Sequence, residues 1–454
     1  MPMMTKEQLR EAGLFDARVP RYTSYPTAPH FSADIGAEDF SRWLSRLRPG
    51  SGISLYVHIP FCRRLCWYCA CRTQGVKNDR PVKAYLDLLL REIDMVRQHV
   101  PEGVRLQRLH WGGGTPTILG ADDIRRLAGA ITERFPFAEE AEFSVEIDPN
   151  EIDAARLDAL AEAGMNRASI GIQDFDPLIQ EAIGRPQGFA VTRQAAEGLR
   201  ARGIHSLNAD IVYGLPHQTP ERMARTVRQL LELDPDRIAM YGYAHVPWMA
   251  KRQVMIPEEA LPGSEQRLAL FELASGMFEE AGFLPIGIDH FARPGDGLAT
   301  ALRDRTLRRN FQGYTDDQAA ALIGIGASSV SRLPEGYAQN AAATAAWQQR
   351  VGAGELATSR GHAFSTEDRL RARIIEELMC FFEVDFAGLE AAFGEMPASV
   401  TADRDRAVSR FAPFVRFDGS VLAIDPEVVR PLARLVAFIF DTYGPGGGGH
   451  SRAI

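Results

Sequence analysis

The sequence predicts an α/β fold: a partial (β/α)6 barrel of the TIM type, preceded by an N-terminal arm and followed by a mostly helical C-terminal domain. Two observations carry this expectation. From residue 53 onward, short β-rich runs alternate six times with helical patterns, as in parallel sheets built from right-handed βα units. In addition, a polar cluster follows the end of each predicted strand, so all six clusters share one rim. Parallel α/β folds gather their functional groups there.

The predicted strands cover 53–59, 106–111, 142–147, 168–172, 207–213 and 237–243, and helical patterns fill 83–100, 122–135, 154–163, 192–202 and 220–233. Cysteines follow the first strand, and Gly112, Gly113, Gly114 and Thr115 follow the second. Glu146 and Asp148 close the third, Gln173 and Asp174 the fourth, Tyr213 and Gly214 the fifth, and Tyr243, Ala244 and His245 the sixth. Ahead of the first strand, the aromatic and polar stretch from Arg21 to Thr27 reads as an extended arm, and 39–47 as a helix. After residue 260 the alternation weakens. A helix is expected over 262–281 and a strand over 284–288, while 308–315 and 324–331 are loop-like. Amphipathic patterns at 367–380 and 431–440 mark the helical C-terminal part. The expected division is an arm and helix over 1–50, the barrel core over 51–260, and an extension with active-site loops over 261–360. A helical domain over 361–440 and a flexible glycine-rich tail over 441–454 complete it.

Composition excludes several classes. The 454 residues carry 51 basic and 59 acidic side chains, a net charge of −8, with no basic excess to neutralise a nucleic acid. No apolar run approaches the ~18 residues that a membrane span needs. The N-terminus has no signal-peptide apolar region, so a cytoplasmic protein is expected. No feature demands an oligomer, and a monomer is the expectation.

Four of the five cysteines, Cys62, Cys66, Cys69 and Cys71, fall within ten residues. That bunching is a metal or redox site rather than a disulfide framework. The first three are spaced C-x3-C-x2-C. Three thiolates can hold three irons of a cubic iron–sulfur cluster and leave the fourth iron open for chemistry. Zinc knots prefer C-x2-C pairs set apart by a longer loop. Spacing alone leaves open which three of the four cysteines ligate. The glycine run is either a tight turn or a place where a ligand approaches the backbone. A carboxylate such as Glu146 or Asp210 can accept both hydroxyls of a ribose, and the fork of Arg185 can pair with a carboxylate. His58, His110 and His245 sit in or beside apolar runs and read as satisfied core histidines. Cys380, on an apolar helical face, reads as a small buried hydrophobe.

Together these motifs resemble the radical S-adenosylmethionine (SAM) superfamily, whose signature is C-x3-C-x-aromatic-C. More closely, the chain resembles the oxygen-independent coproporphyrinogen III oxidases within it. The resemblance spans nearly the whole chain. Its specific parts are the arm from Pro20 to Thr27, the segment from Leu55 to Cys62, Cys71, and the segments from Leu109 to Thr117, Glu146 to Pro149 and Gly171 to Phe175. Asp289 to Pro294, Arg309 to Thr315 and Tyr337 to Asn340 continue it. It implies a [4Fe–4S] cluster on Cys62, Cys66 and Cys69, with one SAM against Tyr56, Gly113, Glu146 and Val330. It implies a second SAM against Tyr68, Gly114, Thr115, Gln173, Arg185, Asp210 and Ala244. Tyr56 and Cys71 would be catalytic, with Cys71 beside the second SAM and outside the ligand set. The implied reaction is oxidative decarboxylation of two propionates of a tetrapyrrole to vinyl groups. It uses a SAM-derived 5′-deoxyadenosyl radical, an external electron donor and an electron acceptor.

Haem-binding chaperones of the same branch usually carry an aromatic residue at the position of Cys71 and a His-Asn-x-x-Tyr-Trp segment. Here Cys71 is present and the segment begins at Arg309-Asn310 instead. A different two-SAM radical reaction is the remaining alternative. The substrate's four carboxylates need cations, for which Arg21, Arg167 and Arg308 are the candidates, each lying in or next to a motif segment.

Overall fold

A computed structural model describes residues 5–425 and 430–444. Six parallel strands form its centre: β1 (Gly52–Ile59), β2 (Arg105–Gly113), β3 (Phe137–Ile147), β4 (Arg167–Gln173), β5 (Ser206–Tyr213) and β6 (Arg237–Gly242). They pair in chain order. Helices Arg80–His99, Ala121–Arg134, Ala154–Glu162, Phe189–Arg200 and Pro220–Glu232 connect them. Local chemistry starts two of these helices cleanly. The Asp153 carboxylate accepts from the Arg156 amide, and the Thr219 hydroxyl from the Arg222 amide ahead of Pro220.

Alternation along each strand sets what faces the barrel interior. On β1, Ile53, Leu55, Val57 and Ile59 are buried in the hydrophobic core, while Ser54, Tyr56 and His58 point inward. The inward side chains form layers two residues apart, as the strand period requires. Arg108, Glu142, Arg167 and Arg237 make a lower layer. His110, Ser144, Ser169 and Asn208 lie above them, with Glu146, Gly171, Asp210 and Tyr241 nearest the rim.

The sheet extends at both edges to twelve strands in all. His290–Ala292 runs antiparallel to β6, with Leu284–Ile286 outside it. At the other edge Ala321–Ile325 adds parallel to β1, followed by antiparallel Val330–Leu333, Gly336–Asn340 and Thr358–Ala363. Two stretches expected as loops are therefore ordered strands. Residues 308–315 form a hairpin of Arg308–Asn310 and Gly313–Thr315, and 324–331 contributes to two sheet strands. Buried Glu92 holds the second stretch in place: it accepts from the Gly326 amide (2.7 Å), Asn340 Nδ2 (2.7 Å) and Trp347 Nε1 (3.0 Å).

The C-terminal part contains helices Thr366–Phe381, Phe386–Phe393, Ala398–Arg410 and Leu432–Ile439. It also holds an unexpected three-stranded sheet of Glu383–Asp385, Val421–Ile424 and Val415–Phe417. Its last helix clasps the N-terminal arm. Arg434 donates to the Val19 and Pro20 carbonyls (2.7 and 3.2 Å), and the Tyr22 and Tyr25 hydroxyls bond Asp441 and Thr442 (both 3.0 Å). The expected flexible tail divides accordingly: Asp441, Thr442 and Tyr443 are hydrogen-bonded to the rest of the fold, and 445–454 lie outside the described residues. Among the described residues no helix is long and apolar enough to cross a membrane.

Candidate active site

A cavity of about 720 Å³ opens at the C-terminal ends of the six strands. Cys62, Cys66, Cys69 and Cys71 form one wall, and every other residue that the sequence implied for SAM lines it as well. The glycine run fixes that wall. The Gly114 amide donates to the Ile59 carbonyl and the Thr115 amide to the Phe61 carbonyl, both at 2.8 Å. A Cβ on Gly114 would stand 2.6 Å from the Phe61 carbonyl oxygen, so glycine is required by contact with the cysteine loop itself. Gly113 adopts φ +112°, and a Cβ there would strike the His58 ring at 2.5 Å. The turn reading of this motif holds, and what comes close to these glycines is the protein's own backbone and the His58 ring.

Donors face three of the sulfurs. Thr115 Oγ1 lies 3.6 Å from Cys62 Sγ, and Arg185 Nη1 lies 3.4 Å from Cys66 Sγ. The Cys71 amide donates to Cys69 Sγ at 3.4 Å. Burial pushes the free Cys62 thiol up to about 11, whereas hydrogen bonding from Cys71 brings Cys69 down to about 6. Donors aimed at sulfur suit thiolate ligands. Among the described residues no three His, Cys, Asp or Glu side chains converge on one ion position. A cubic cluster makes no such demand, because each thiolate takes its own iron. The donor set therefore fits a [4Fe–4S] cluster. Cys71 is the exposed one of the four, turned to the cavity.

Glu146 accepts from the Gly113 amide (3.0 Å) and from His110 Nε2 (3.4 Å), whose Nδ1 meets Ser144 Oγ at 2.5 Å. Burial works against the charge of Glu146, but the His110 and Gly113 bonds outweigh it and hold the carboxyl below its usual range. Asp210 differs: burial raises it to about 6, despite bonds from Asn208 (2.8 Å) and Ser169 (3.2 Å). Arg185 is pinned between the Gly171 carbonyl (3.1 Å), Asp148 (3.5 Å) and Cys66, and its buried Nε has no hydrogen-bond partner among the described residues. Gln173 turns the chain off β4 in the left-handed region, φ 68°, an uncommon conformation for a non-glycine residue that redirects its amide to the cavity. Tyr56 stacks on His110 and bonds His58 Nδ1 at 3.0 Å.

The three proposed substrate arginines part company. Arg21 lines the cavity, donating to the Gly242 carbonyl at 2.6 Å. Arg308 pairs with Glu376 (2.8 Å) and lines a neighbouring cavity instead. Arg167 is not brought to the site at all. As the first residue of β4 it lies in the lower layer, bonded to Glu142 at 2.6 Å and 3.6 Å from Asp296. Sequence proximity to a motif does not distinguish the two ends of a strand. The histidines are satisfied as expected, but His110 also orients Glu146, a role its apolar neighbourhood concealed. Gln253 went unnoticed altogether. Fully buried, it donates to the Tyr68 and Ala244 carbonyls (2.7 and 3.0 Å) and accepts from the Val246 amide (2.6 Å), tying the cysteine loop to the loop after β6. Beside it, Arg252 donates to the Cys71 carbonyl at 3.3 Å.

Residues 56–230 match the family described as the Radical SAM superfamily. The chain is 59% identical over 452 residues to an oxygen-independent coproporphyrinogen III oxidase of Paracoccus denitrificans, covering all of both chains. The chain belongs to the oxygen-independent coproporphyrinogen III oxidase family. A member from Escherichia coli is 39% identical over 430 residues, covering 93% of each. The solved coproporphyrinogen III oxidase of Escherichia coli, described as a radical SAM enzyme, superposes with a TM-score of 0.89 at 37% identity. That match covers 94% of this chain and 100% of the other. The parallel βα sheet expected from the alternation and the radical SAM fold implied by the resemblance are the fold present, and family membership implies a [4Fe–4S] cluster and SAM.

Proposed function

We propose that this chain carries out the oxygen-independent oxidative decarboxylation of two propionate side chains of coproporphyrinogen III to vinyl groups. The product is protoporphyrinogen IX, in haem biosynthesis. The observation that carries this reading is the meeting of three potential cluster cysteines, a fourth free cysteine and the polar strand ends around one cavity. The match to named oxidases along the full chain supports it.

Cys62, Cys66 and Cys69 would hold the cluster. Tyr56, Gly113, Glu146 and Val330 would hold the SAM that completes it. Together, cluster and SAM supply a 5′-deoxyadenosyl radical. Glu146, kept ionised by His110 and the Gly113 amide, is suited to accept from an ammonium group. Asp210 can accept from both hydroxyls of a ribose. With Tyr68, Gly114, Thr115, Gln173, Arg185 and Ala244 it would form the place of a second SAM. Cys71 presents its sulfur to the cavity, where it can give or take a hydrogen. Tyr56, neutral through burial and bonded to His58, offers a fixed hydroxyl at the same wall. Arg21 can pair with a propionate. The arm and the 308–315 hairpin cover the cavity, limiting access of water and oxygen to a radical.

Each propionate loses a hydrogen atom, carbon dioxide and one electron, so a one-electron donor for SAM cleavage and an acceptor for the substrate electron are both required. The five cysteines are all free, as suits a reducing cytoplasm. The test is an anaerobic assay with coproporphyrinogen III that follows vinyl tetrapyrroles and 5′-deoxyadenosine together. Their joint appearance is expected. Deoxyadenosine without vinyl product would point to another radical SAM reaction, and stable haem binding with neither product to a carrier.

A further inference from the structure

Beside the main cavity lies a second one of about 360 Å³, and the two meet at Leu322, which lines both. The arm, the 308–322 segment, the 332–337 hairpin and helix Thr366–Phe381 supply its walls. Its chemistry has two sides. Tyr25, Tyr337, Phe364 and Phe393 give aromatic surface, and five guanidinium groups face only two carboxylates, Asp317 and Glu376. Arg308 and Arg373 share Glu376 at 2.8 and 3.4 Å. Arg309 turns away toward Asp289 at 3.8 Å. Arg332 and Arg369, both exposed, have no carboxylate partner among the described residues. Arg369 donates to the Pro334 carbonyl at 3.2 Å, and Arg332 lies across the strand pair from Tyr337.

Unpaired guanidinium groups over an aromatic wall fit a flat organic polycarboxylate, its ring on the aromatic surface and its acid groups on the arginines. The substrate of the proposed reaction has four carboxylates, of which two are lost and two stay in the product. We propose that the second cavity anchors the two retained carboxylates through Arg332 and Arg369, backed by Arg308 and Arg373, while the reacting propionates enter the main cavity past Leu322. This inference rests on the decarboxylase reading above.

The test compares the anaerobically reconstituted enzyme with an Arg332→Gln, Arg369→Gln double variant. Neither side chain has an ion pair to lose, so the fold is expected to persist. The variant should raise the KM for coproporphyrinogen III at least about tenfold, as loss of charge-assisted hydrogen bonds implies. It should weaken binding of coproporphyrin III (four carboxylates) and protoporphyrin IX (two) by similar factors and leave SAM affinity unchanged. An Arg332→Lys, Arg369→Lys pair should recover most of the affinity. Should the glutamine pair lower the Tm, the lysine pair decides: retained affinity supports the anchor, and lost affinity at an unchanged Tm overturns it. Wild-type affinity in the glutamine pair, or a loss confined to the four-carboxylate ligand, also overturns it. A wild-type enzyme that forms no vinyl product would sink the decarboxylase reading instead, and the two porphyrin affinities would still report on the cavity.

Discussion

The two ends of one barrel are built from the same kinds of residue and reach opposite outcomes. At the floor, Arg108 pairs with Glu142 (2.7 Å) and Asp316 (2.9 Å), Arg167 with Glu142, and Arg237 with Asp296 (2.6 Å), so each charge is answered by a neighbouring element. Arg108 and Arg167, together with other nearby arginines, draw Glu142 down to about 2 in spite of its burial. At the rim, Glu146, Asp210, Arg185 and the cysteines surround open space. Charge that closes on itself holds the strands together, and charge left facing a void is available to a ligand.

Substitutions should separate these roles. The largest effect belongs to the rim. Alanine at Cys62, Cys66 or Cys69 should abolish cluster absorption after reconstitution, and all turnover with it, while circular dichroism stays native. Cys71→Ser should keep the cluster and lose turnover; loss of the cluster there would return Cys71 to the ligand set. The floor should answer in the other currency. Arg167→Met removes one of the two arginines paired with Glu142 and should cost up to about 3 kcal/mol of stability in urea unfolding, the low end of the scale for a broken buried pair because Arg108 still answers the carboxylate. Activity per folded molecule should survive, and a selective loss of substrate affinity would bring Arg167 back to the site.

A subtler contrast lies within the rim, where Glu146 is held down and Asp210 is pushed up to about 6. A folded chain with a raised carboxyl binds the proton more tightly than the unfolded chain. The protonated acid therefore stabilises the fold at low pH, and that contribution fades as pH rises through about 6. Ligand binding should run the other way. Affinity for SAM at the Asp210 position should drop as pH falls through about 6, as titration calorimetry would show, and Asp210→Asn should flatten that profile. The smallest expected effect is at Gln253, where leucine should cost about 1–3 kcal/mol, the cost of buried groups left unpaired. It should also slow cluster reconstitution; an unchanged rate would mean the cysteine loop needs no tether.

The sequence carried the six strands because each is a short β-rich run set between helical patterns. It carried the rim because parallel strands end where function gathers. The sheet extension and the separate 308–315 hairpin were hidden by composition: strands of three to five residues with Gly313, Gly324 and Gly336 in them look like loops until neighbours supply hydrogen bonds. Arg167 was misplaced because spacing along a chain does not show height in a barrel. Gln253, Arg332 and Arg369 gave no signal, since no motif surrounds them and Gln253 and Arg369 bond carbonyls distant in sequence.

The arm that contributes Arg21 to the cavity is held by Arg434 from 415 residues further along the chain. The clasp cannot form until the ribosome has made the last helix. During synthesis the cysteine loop therefore emerges and folds with its cover still unfastened. The chain's early and late segments meet beside the cavity, and its cover is fastened only once both exist.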